Sequence, residues 1–389
     1  MKKSLIALAV MAAAGAASAQ SSVTLFGIVD VGVRNVRGDG NGNVTLLARD
    51  GYNSSRLGFR GTEDLGGGMN ASFWLEAGLD PDSGIGQATN TNNQLSGGAS
   101  VAGAPAAGAT FRTGGTQGLT FNRRSTVSLA GGWGELRLGR DYAPHFWNWT
   151  IFDPFGTQGV GSATNLINGA GFGTSALAAS PIPTLVRASN SIGYFLPANL
   201  GGFYGQAMYA FGENASNCTA LTATGSCGGA EDDGRHVGLR LGFGSGPFNV
   251  ALGWGRTEYA TGDYRVWNLG GQWDFGMAKL LAQYSRDEID SAANPRQRSF
   301  LIGALVPVGA GEVRASFVQT RVAGVAAGQD GARQIALGYV HNLSKRTALY
   351  ATAARLDNRG TGTLFHNGRA TTQAGGDTTG FDIGVRHSF

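Results

Sequence analysis

Arginines and a few acids are the residues of this sequence best suited to chemistry. The 389 residues include 30 Lys and Arg against 26 Asp and Glu, with five His and two Cys. Beyond Lys2 and Lys3, the only lysines are Lys279 and Lys345, so nearly all positive charge is guanidinium. A guanidinium stays charged and binds carboxylate or phosphate in fixed geometry. The arginine bias therefore has two explanations, a GC-rich genome and a use in anion binding.

The histidines do not form a catalytic pattern. A hydrolase needs a nucleophile, a base and an orienting acid within reach of one another. No GxSxG, HExxH or phosphate-loop motif is present. We therefore predict no catalytic residue and no cofactor, with a hydrolase kept as an alternative. The five scattered histidines are His145, His236, His341, His366 and His387.

The two cysteines stand close together, Cys218 and Cys227 in "NCTALTATGSCGG". After export to an oxidising compartment, this spacing suits a small disulfide loop. Two thiols without a nearby His fall short of a metal-ligand set. The "GDGNGN" stretch at 38–43 has one carboxylate, too few for Ca²⁺. We predict a disulfide candidate and no metal site.

The N-terminus has the composition of an export signal. Lys2 and Lys3 precede an apolar run, and Ala17-Ser18-Ala19 matches the small-x-small pattern of a cleavage site. We predict a signal peptide at 1–19 and one domain at 20–389. The exported chain then keeps 28 of the 30 basic residues against 26 acids, a near balance that argues against nucleic-acid binding.

The exported chain shows period-two alternation interrupted by short polar breaks, which indicates strands. No later run approaches the roughly 18 apolar residues that a membrane helix needs. Sixteen alternating segments can be counted. They begin near residues 21, 45, 68, 118, 132, 187, 202, 234, 247, 264, 277, 296, 311, 330, 346 and 379.

Short breaks alternate with longer ones along these segments. Seven are turn-like, such as "LGGG" at 65–68 and "NLSKR" at 342–346, whereas 81–117 and 143–186 are long. This alternation places all tight turns at one end of a sheet, which is the layout of an outer-membrane barrel. In 311–321 and 332–341 one face is apolar, and the other is polar with small Gly or Ala positions. We therefore predict an all-β transmembrane antiparallel barrel of sixteen strands.

One segment departs from this pattern. In "LTFNRRSTVSLAGG", Val127 and Leu129 share parity with Arg123. Because an Arg facing lipid is costly, we interpret this strand as covered by a neighbouring subunit.

The sequence resembles the trimeric general porins of Gram-negative outer membranes, of the beta-proteobacterial type. The motifs include "SSRLGFRGTEDLGGGMNASFWLE", "FNRRSTVSL", "GELRLGRDYAP", "RASNSIGYFLP" and the terminal "GVRHSF", and they extend over the whole chain. The resemblance implies a third extracellular loop, here 143–186, folded into the pore, with acids on it facing wall arginines. The constriction residues that we predict are Arg56, Arg60, Arg123, Arg187, Asp153, Asp141 and Tyr142.

The third loop is rich in aromatic residues at 145–155, "HFWNWTIFDPF". They could form a stacking track for a sugar or aromatic solute, or they could anchor the loop to the barrel wall. Both interpretations apply to Phe146, Trp147, Trp149, Phe152 and Phe155.

The function predicted from these features is passive diffusion of small hydrophilic solutes and ions, with a weak preference for anions. The expected partners are lipid and lipopolysaccharide of the outer membrane, two further copies in a homotrimer, and the barrel insertion machinery. That machinery would read the terminal aromatic, Phe389. A substrate-selective porin and a surface adhesion or receptor barrel are the alternatives.

Overall fold

The structure is a computed structural model that describes residues 22–40, 42–87, 89–90, 93–94, 118–167, 182–214, 231–259, 262–292, 294–325, 329–362, 364, 366 and 373–389. The predicted signal peptide at 1–19, both cysteines and most of the long break at 81–117 lie outside these ranges. The strands are β1 (Ser22–Gly38), β2 (Gly42–Arg49), β3 (Arg56–Gly66), β4 (Met69–Asp80), β5 (Ile85–Gly86), β6 (Arg124–Gly131), β7 (Gly134–Tyr142), β8 (Arg187–Phe195), β9 (Phe203–Ala210), β10 (His236–Ser245), β11 (Phe248–Thr257), β12 (Asp263–Asp274), β13 (Lys279–Asp290), β14 (Arg296–Val308), β15 (Gly311–Ala323), β16 (Gln329–Asn342), β17 (Thr347–Gly360) and β18 (Thr378–Ser388). One short helix, α1 (Phe146–Ile151), follows β7, and 3-10 turns lie at Ala163–Asn165 and Pro183–Leu185.

The strands form one closed antiparallel sheet. Each pairs with its neighbour, and β1 closes the ring against β18. Strands β2 and β3 both pair with β1 and together form one interrupted barrel strand, while the two-residue β5 pairs only with β4. The described residues form eighteen strands. When β2 and β3 are counted as one strand and β5 is left out, the barrel has the sixteen strands that the sequence predicts.

The alternation of short and long connections is confirmed. Seven tight connections, such as those from β3 to β4 and from β14 to β15, fall at the same end as Ser22 and Phe389. The strand ends that the longer segments join lie at the other end. Within the described ranges, no helix combines the length and apolar character that a membrane-spanning helix requires.

Each strand has an apolar and a polar face. Large apolar side chains such as Leu239, Ile335 and Phe381 are exposed, while their sequence neighbours on the opposite face are mostly polar or small and buried. Apolar exposure of this extent suits a surface that contacts lipid. Arg123 does not share a face with Val127, because β6 begins only at Arg124 and strand alternation does not extend back to it.

Candidate functional site

An insertion between β2 and β3 is the local feature that shapes the site. The Asp30 carboxylate accepts hydrogen bonds from the backbone N–H of Gly51 (3.2 Å), Tyr52 (3.0 Å) and Asn53 (2.6 Å), and a fourth from the Tyr350 hydroxyl (2.7 Å). These bonds satisfy a buried acceptor and fix residues 50–55 against the polar face of β1. The ends of β2 and β3 are thereby held beside the cavity described next.

A cavity of about 750 Å³ lies between this insertion, strands β3 to β8 and the loop segment 143–167. Six arginines and three acids are among the residues that line it. Simple counting of these side chains gives an excess of three positive charges. The charged residues are Arg49, Asp50, Arg56, Glu76, Arg123, Arg124, Asp153, Arg187 and Arg314.

Glu76 on β4 is the acid that pairs with the predicted arginines. Its Oε1 accepts from Arg123 Nε at 2.6 Å and lies 3.4 Å from Arg56 Nη1. The Trp74 indole N–H donates to the other carboxylate oxygen at 3.1 Å. Glu76 is not among the residues predicted from the sequence. The signal available was its position in a strand, since a charged strand residue belongs on the polar face.

Tyr142 joins two of the predicted arginines. Its hydroxyl accepts hydrogen bonds from Arg123 Nη2 and Arg187 Nη2, both at 2.8 Å. The Arg187 guanidinium also lies over the Tyr142 ring, 4.3 Å from its centroid. The ring stacks on Phe146 with centroids 5.4 Å apart. Two cations and an aromatic ring are thus held in one rigid group.

The loop segment 143–167 is hydrogen-bonded to the polar face of β11 and β12. The Asn148 side-chain amide donates to the Ala251 carbonyl (2.9 Å) and to Asn268 Oδ1 (2.8 Å). Asn268 in turn donates to the His145 carbonyl at 3.0 Å. These three residues are buried, so the bonds satisfy groups that have no access to water.

The farther part of the same segment is bonded to β16 and β18. Gln334 Nε2 donates to the carbonyls of Gly161 and Ser162, both at 3.0 Å. The Val160 N–H donates to Asp382 Oδ2 at 2.9 Å, and Asp382 also forms a buried ion pair with Arg34. One loop segment therefore contacts strands on a large part of the ring.

Glycines on the polar face provide the space for these contacts. A Cβ at Gly270 would overlap the Phe152 ring, and a Cβ at Gly303 would overlap Pro154. The small positions that the sequence shows on the polar face therefore receive the loop at these points. The same relation holds for Gly253 with His145, Gly338 with Phe155 and Gly380 with Val160.

The loop aromatics differ in exposure. Trp149 and Phe152 are fully buried, and the Trp149 indole N–H donates to Ser285 Oγ at 3.3 Å. Phe146 and Phe155 are also buried but lie at the edge of the cavity. Trp147 is half-buried, and its ring centroid lies 5.1 Å from that of Tyr142.

Asp153 lines the cavity but is buried, and it organises its own loop. Its carboxylate accepts from the backbone N–H of Phe155 (2.9 Å), Thr157 (3.2 Å) and Ala163 (2.9 Å). Burial raises the pKa of Asp153 to about 6, although these hydrogen bonds act in the opposite direction.

Two predicted residues do not line the cavity. Arg60 lies on β3 with its guanidinium over the rings of Phe26 and Trp74, 5.4 and 5.2 Å from their centroids. Asp141 is buried and pairs with Arg137 at 2.5 Å. The structure thus brings together Arg56, Arg123, Arg187, Asp153 and Tyr142.

Comparison with known proteins shows which family and which solved structures the chain is similar to. The Gram-negative porin family matches residues 5–361. Outer membrane porin protein 32 of Delftia acidovorans is 39% identical, and an outer membrane porin protein of Bordetella pertussis is 29% identical, each over 100% of both chains. The solved anion-selective porin from Comamonas acidovorans is 35% identical with a TM-score of 0.76, covering 95% of this chain and 100% of that chain. This chain belongs to the Gram-negative porin family and is a protein of the outer membrane.

Proposed function

We propose that the chain forms a water-filled channel that passes small hydrophilic solutes and ions passively, with a weak preference for anions. The excess of three positive charges around the cavity carries this proposal. Fixed positive groups attract anions and repel cations over a range of about 10 Å at 0.1 M salt. Neither a catalytic step nor a cofactor forms part of the proposed function.

The loop 143–186 is, in this proposal, the element that narrows the channel. Its described part spans from β11 to β18 on the polar face and also borders the cavity. A segment fixed at both positions reduces the open cross-section of a wide barrel. It also places the arginines where passing ions come closest to them.

A planar-bilayer experiment tests the proposal. The purified protein is inserted into the bilayer, and a KCl gradient is applied across it. We expect stable conductance steps and a reversal potential with the sign of an anion-selective channel. The variant Arg265→Gln, on the exposed face of β12, should leave that potential unchanged. A clearly cationic reversal potential would contradict the charge argument. An absence of conductance would favour the surface adhesion alternative.

The aromatic residues of the loop have, we infer, an anchoring role. Trp149 and Phe152 are enclosed between loop and wall, which leaves no ring face for a solute. Trp149→Ala should therefore disturb the conductance steps more than Trp147→Ala does. Normal conductance in both variants, with loss of uptake of one aromatic solute in Trp147→Ala, would favour the solute track.

We further infer assembly as a homotrimer, with the exposed Val127 and Leu129 on β6 within a subunit contact. Replacing both with Asn should lower the mass measured by light scattering in mild detergent. Phe389 is assigned to recognition by the insertion machinery. Its deletion should reduce the amount inserted in cells more than it changes the conductance of inserted molecules.

A further inference from the structure

Four arginines form a cluster away from the channel. Arg296 and Arg298 lie on β14, Arg321 on β15 and Arg359 on β17, and all four are exposed. They border a cavity of about 900 Å³ that also includes Asp330. Arg296 and Arg298 share strand parity with the exposed Phe300 and therefore belong to the apolar face. We call these four residues the outer arginine cluster.

The outer arginine cluster lacks the carboxylate partners that nearby arginines have. Arg265 pairs with Asp290 at 2.9 Å, and Arg355 pairs with Asp357 at 2.6 Å. The described residues include all 26 Asp and Glu of the chain, and none of these forms an ion pair with a member of the cluster. The charge of the cluster is therefore available to an anion from outside the chain.

The register places two of these charges side by side. Arg298 is the direct cross-strand partner of Arg321, and on its other side it faces Arg286 of β13. Like charges directly opposite each other destabilise a sheet. Arg286 is neutralised by Glu288 at 2.8 Å, whereas Arg298 and Arg321 are not. A bound anion between them would remove this repulsion.

The position of the cluster indicates what kind of anion it meets. Phe300 is two residues from Arg298 on the same face, and Phe300 is the cross-strand partner of Tyr284. Tyr284 lies 5.1 Å from Trp267, so three aromatic rings lie side by side on three strands. Such girdles mark the border between the apolar band and the lipid headgroups. The cluster lies beyond this girdle, at the end with the longer connections.

We propose that the outer arginine cluster binds the phosphate groups of lipid headgroups in the outer leaflet. Arg298 and Arg321 provide two guanidinium forks for one phosphate, a geometry that Arg–phosphate pairs favour. The aromatic girdle contacts the upper part of the acyl chains of the same lipid. This inference depends on the location in the outer membrane and is independent of the channel function.

Lipid retention by the purified protein tests the proposal. The full chain in detergent is titrated with diphosphoryl lipid A, and bound lipid is counted by native mass spectrometry. The test variant is Arg298→Gln with Arg321→Gln. The matched control is Arg265→Gln with Arg355→Gln, which removes two paired arginines from the apolar face at the same end of the barrel. Single-channel conductance, unchanged in both variants, verifies that they fold.

The test variant should bind diphosphoryl lipid A roughly tenfold to thirtyfold more weakly, while the control keeps its affinity. Dephosphorylated lipid A should bind both proteins weakly and equally. Equal affinity of test variant and parent for diphosphoryl lipid A would overturn the proposal. If inorganic phosphate binds as tightly as diphosphoryl lipid A, the ligand of the outer arginine cluster is a free anion and not a lipid headgroup. A changed oligomeric mass in the test variant would instead assign the cluster to a subunit contact.

Discussion

Two walls of the barrel border the loop segment 143–167, and they differ in chemistry. The loop-bearing wall, β11 to β18, offers glycines and neutral amides such as Asn268 and Gln334. The arginine wall, β2 to β8, offers Arg49, Arg56 and Arg187. The contacts of the loop with the first wall are buried and closely packed, while the second wall borders the cavity.

This difference shows how one ring can both fix a loop and attract ions. Neutral amides such as Gln334 satisfy loop carbonyls without burying charge, which would require costly desolvation. Asp382 is a charged exception, since it accepts from the Val160 N–H and is paired with the buried Arg34. Guanidinium groups beside open space keep part of their hydration and act on passing solutes. Arg314 on β15 also departs from this division, since it reaches the cavity from the loop-bearing wall and pairs with Glu312 at 3.0 Å.

The largest expected effect comes from breaking the loop-bearing wall. Gly270→Leu would place a side chain where the Phe152 ring packs. Overpacking of this kind costs roughly 1 to 3 kcal/mol, and we expect the loop to detach from β12. Single-channel recordings should show larger and noisier conductance. Gly271→Leu is the matched control, because the nearest atom to its Cβ is 3.6 Å away. Identical recordings from both variants would argue against a fixed loop.

The next effect comes from neutralising the arginine wall. Replacing Arg56, Arg123 and Arg187 with Gln removes the excess of three positive charges around the cavity. The anion-to-cation permeability ratio, measured from the reversal potential, should fall to about one. The single variant Arg56→Gln, at a position where 24% of the side chain is exposed, should show part of the same shift. An unchanged permeability ratio in both variants would show that other residues determine the ion selectivity.

A smaller effect of opposite sign is expected from Glu76→Gln. The change removes the carboxylate that pairs with Arg123 and Arg56 and leaves a neutral acceptor in its place. In water, two unit charges 4 Å apart interact with an energy of about 1 kcal/mol. Removing the negative charge of Glu76 should therefore raise the anion preference by a factor of roughly five or less. Reversal potentials of this variant and its parent, recorded in the same gradient, decide the sign. A fall in anion preference would show that Glu76 acts mainly by positioning the arginines.

The smallest expected effect is a pH dependence from Asp153. Burial raises its pKa to about 6, above the ordinary value of 3.8, so the carboxyl becomes neutral as the pH falls through 6. Its favourable contribution to folding is complete below pH 3.8 and is lost as the pH rises through 6. Anion preference should therefore increase modestly between pH 7.5 and pH 5. Asp153→Asn should lack this step, whereas Asp274→Asn, at a turn far from the cavity, should retain it.

The sequence predicted the strands well because lipid and water impose opposite requirements on alternate residues. Predicted starts at 187, 296 and 311 coincide with β8, β14 and β15. The interruption at 50–55 was not predicted. It depends on Asp30, whose hydrogen bonds to that segment follow from the fold and not from local alternation.

The residues that border the cavity were predicted in part, and the limit has a physical cause. Arg56, Arg123 and Arg187 lie in recognisable motifs, and the structure brings them to one cavity. Glu76 and Arg314 were missed, because their proximity depends on strand register and ring closure. The polar-face glycines were noted as small positions. The alternation of residue types does not show which side chains fill the space beside a glycine. The contacts of these glycines with loop side chains could therefore not be predicted.

The junction between β1 and Phe389 has a consequence for folding. Gly27 and Phe389 exchange two backbone hydrogen bonds of 3.1 Å, and the Phe389 ring lies where a Cβ of Gly27 would be. The ring of strands therefore closes only when β18 pairs with β1. A chain without β18 would leave unpaired edges on β1 and β17, which are templates for aggregation. Barrel closure is therefore a long-range step, because it pairs the first strand of the sheet with the last.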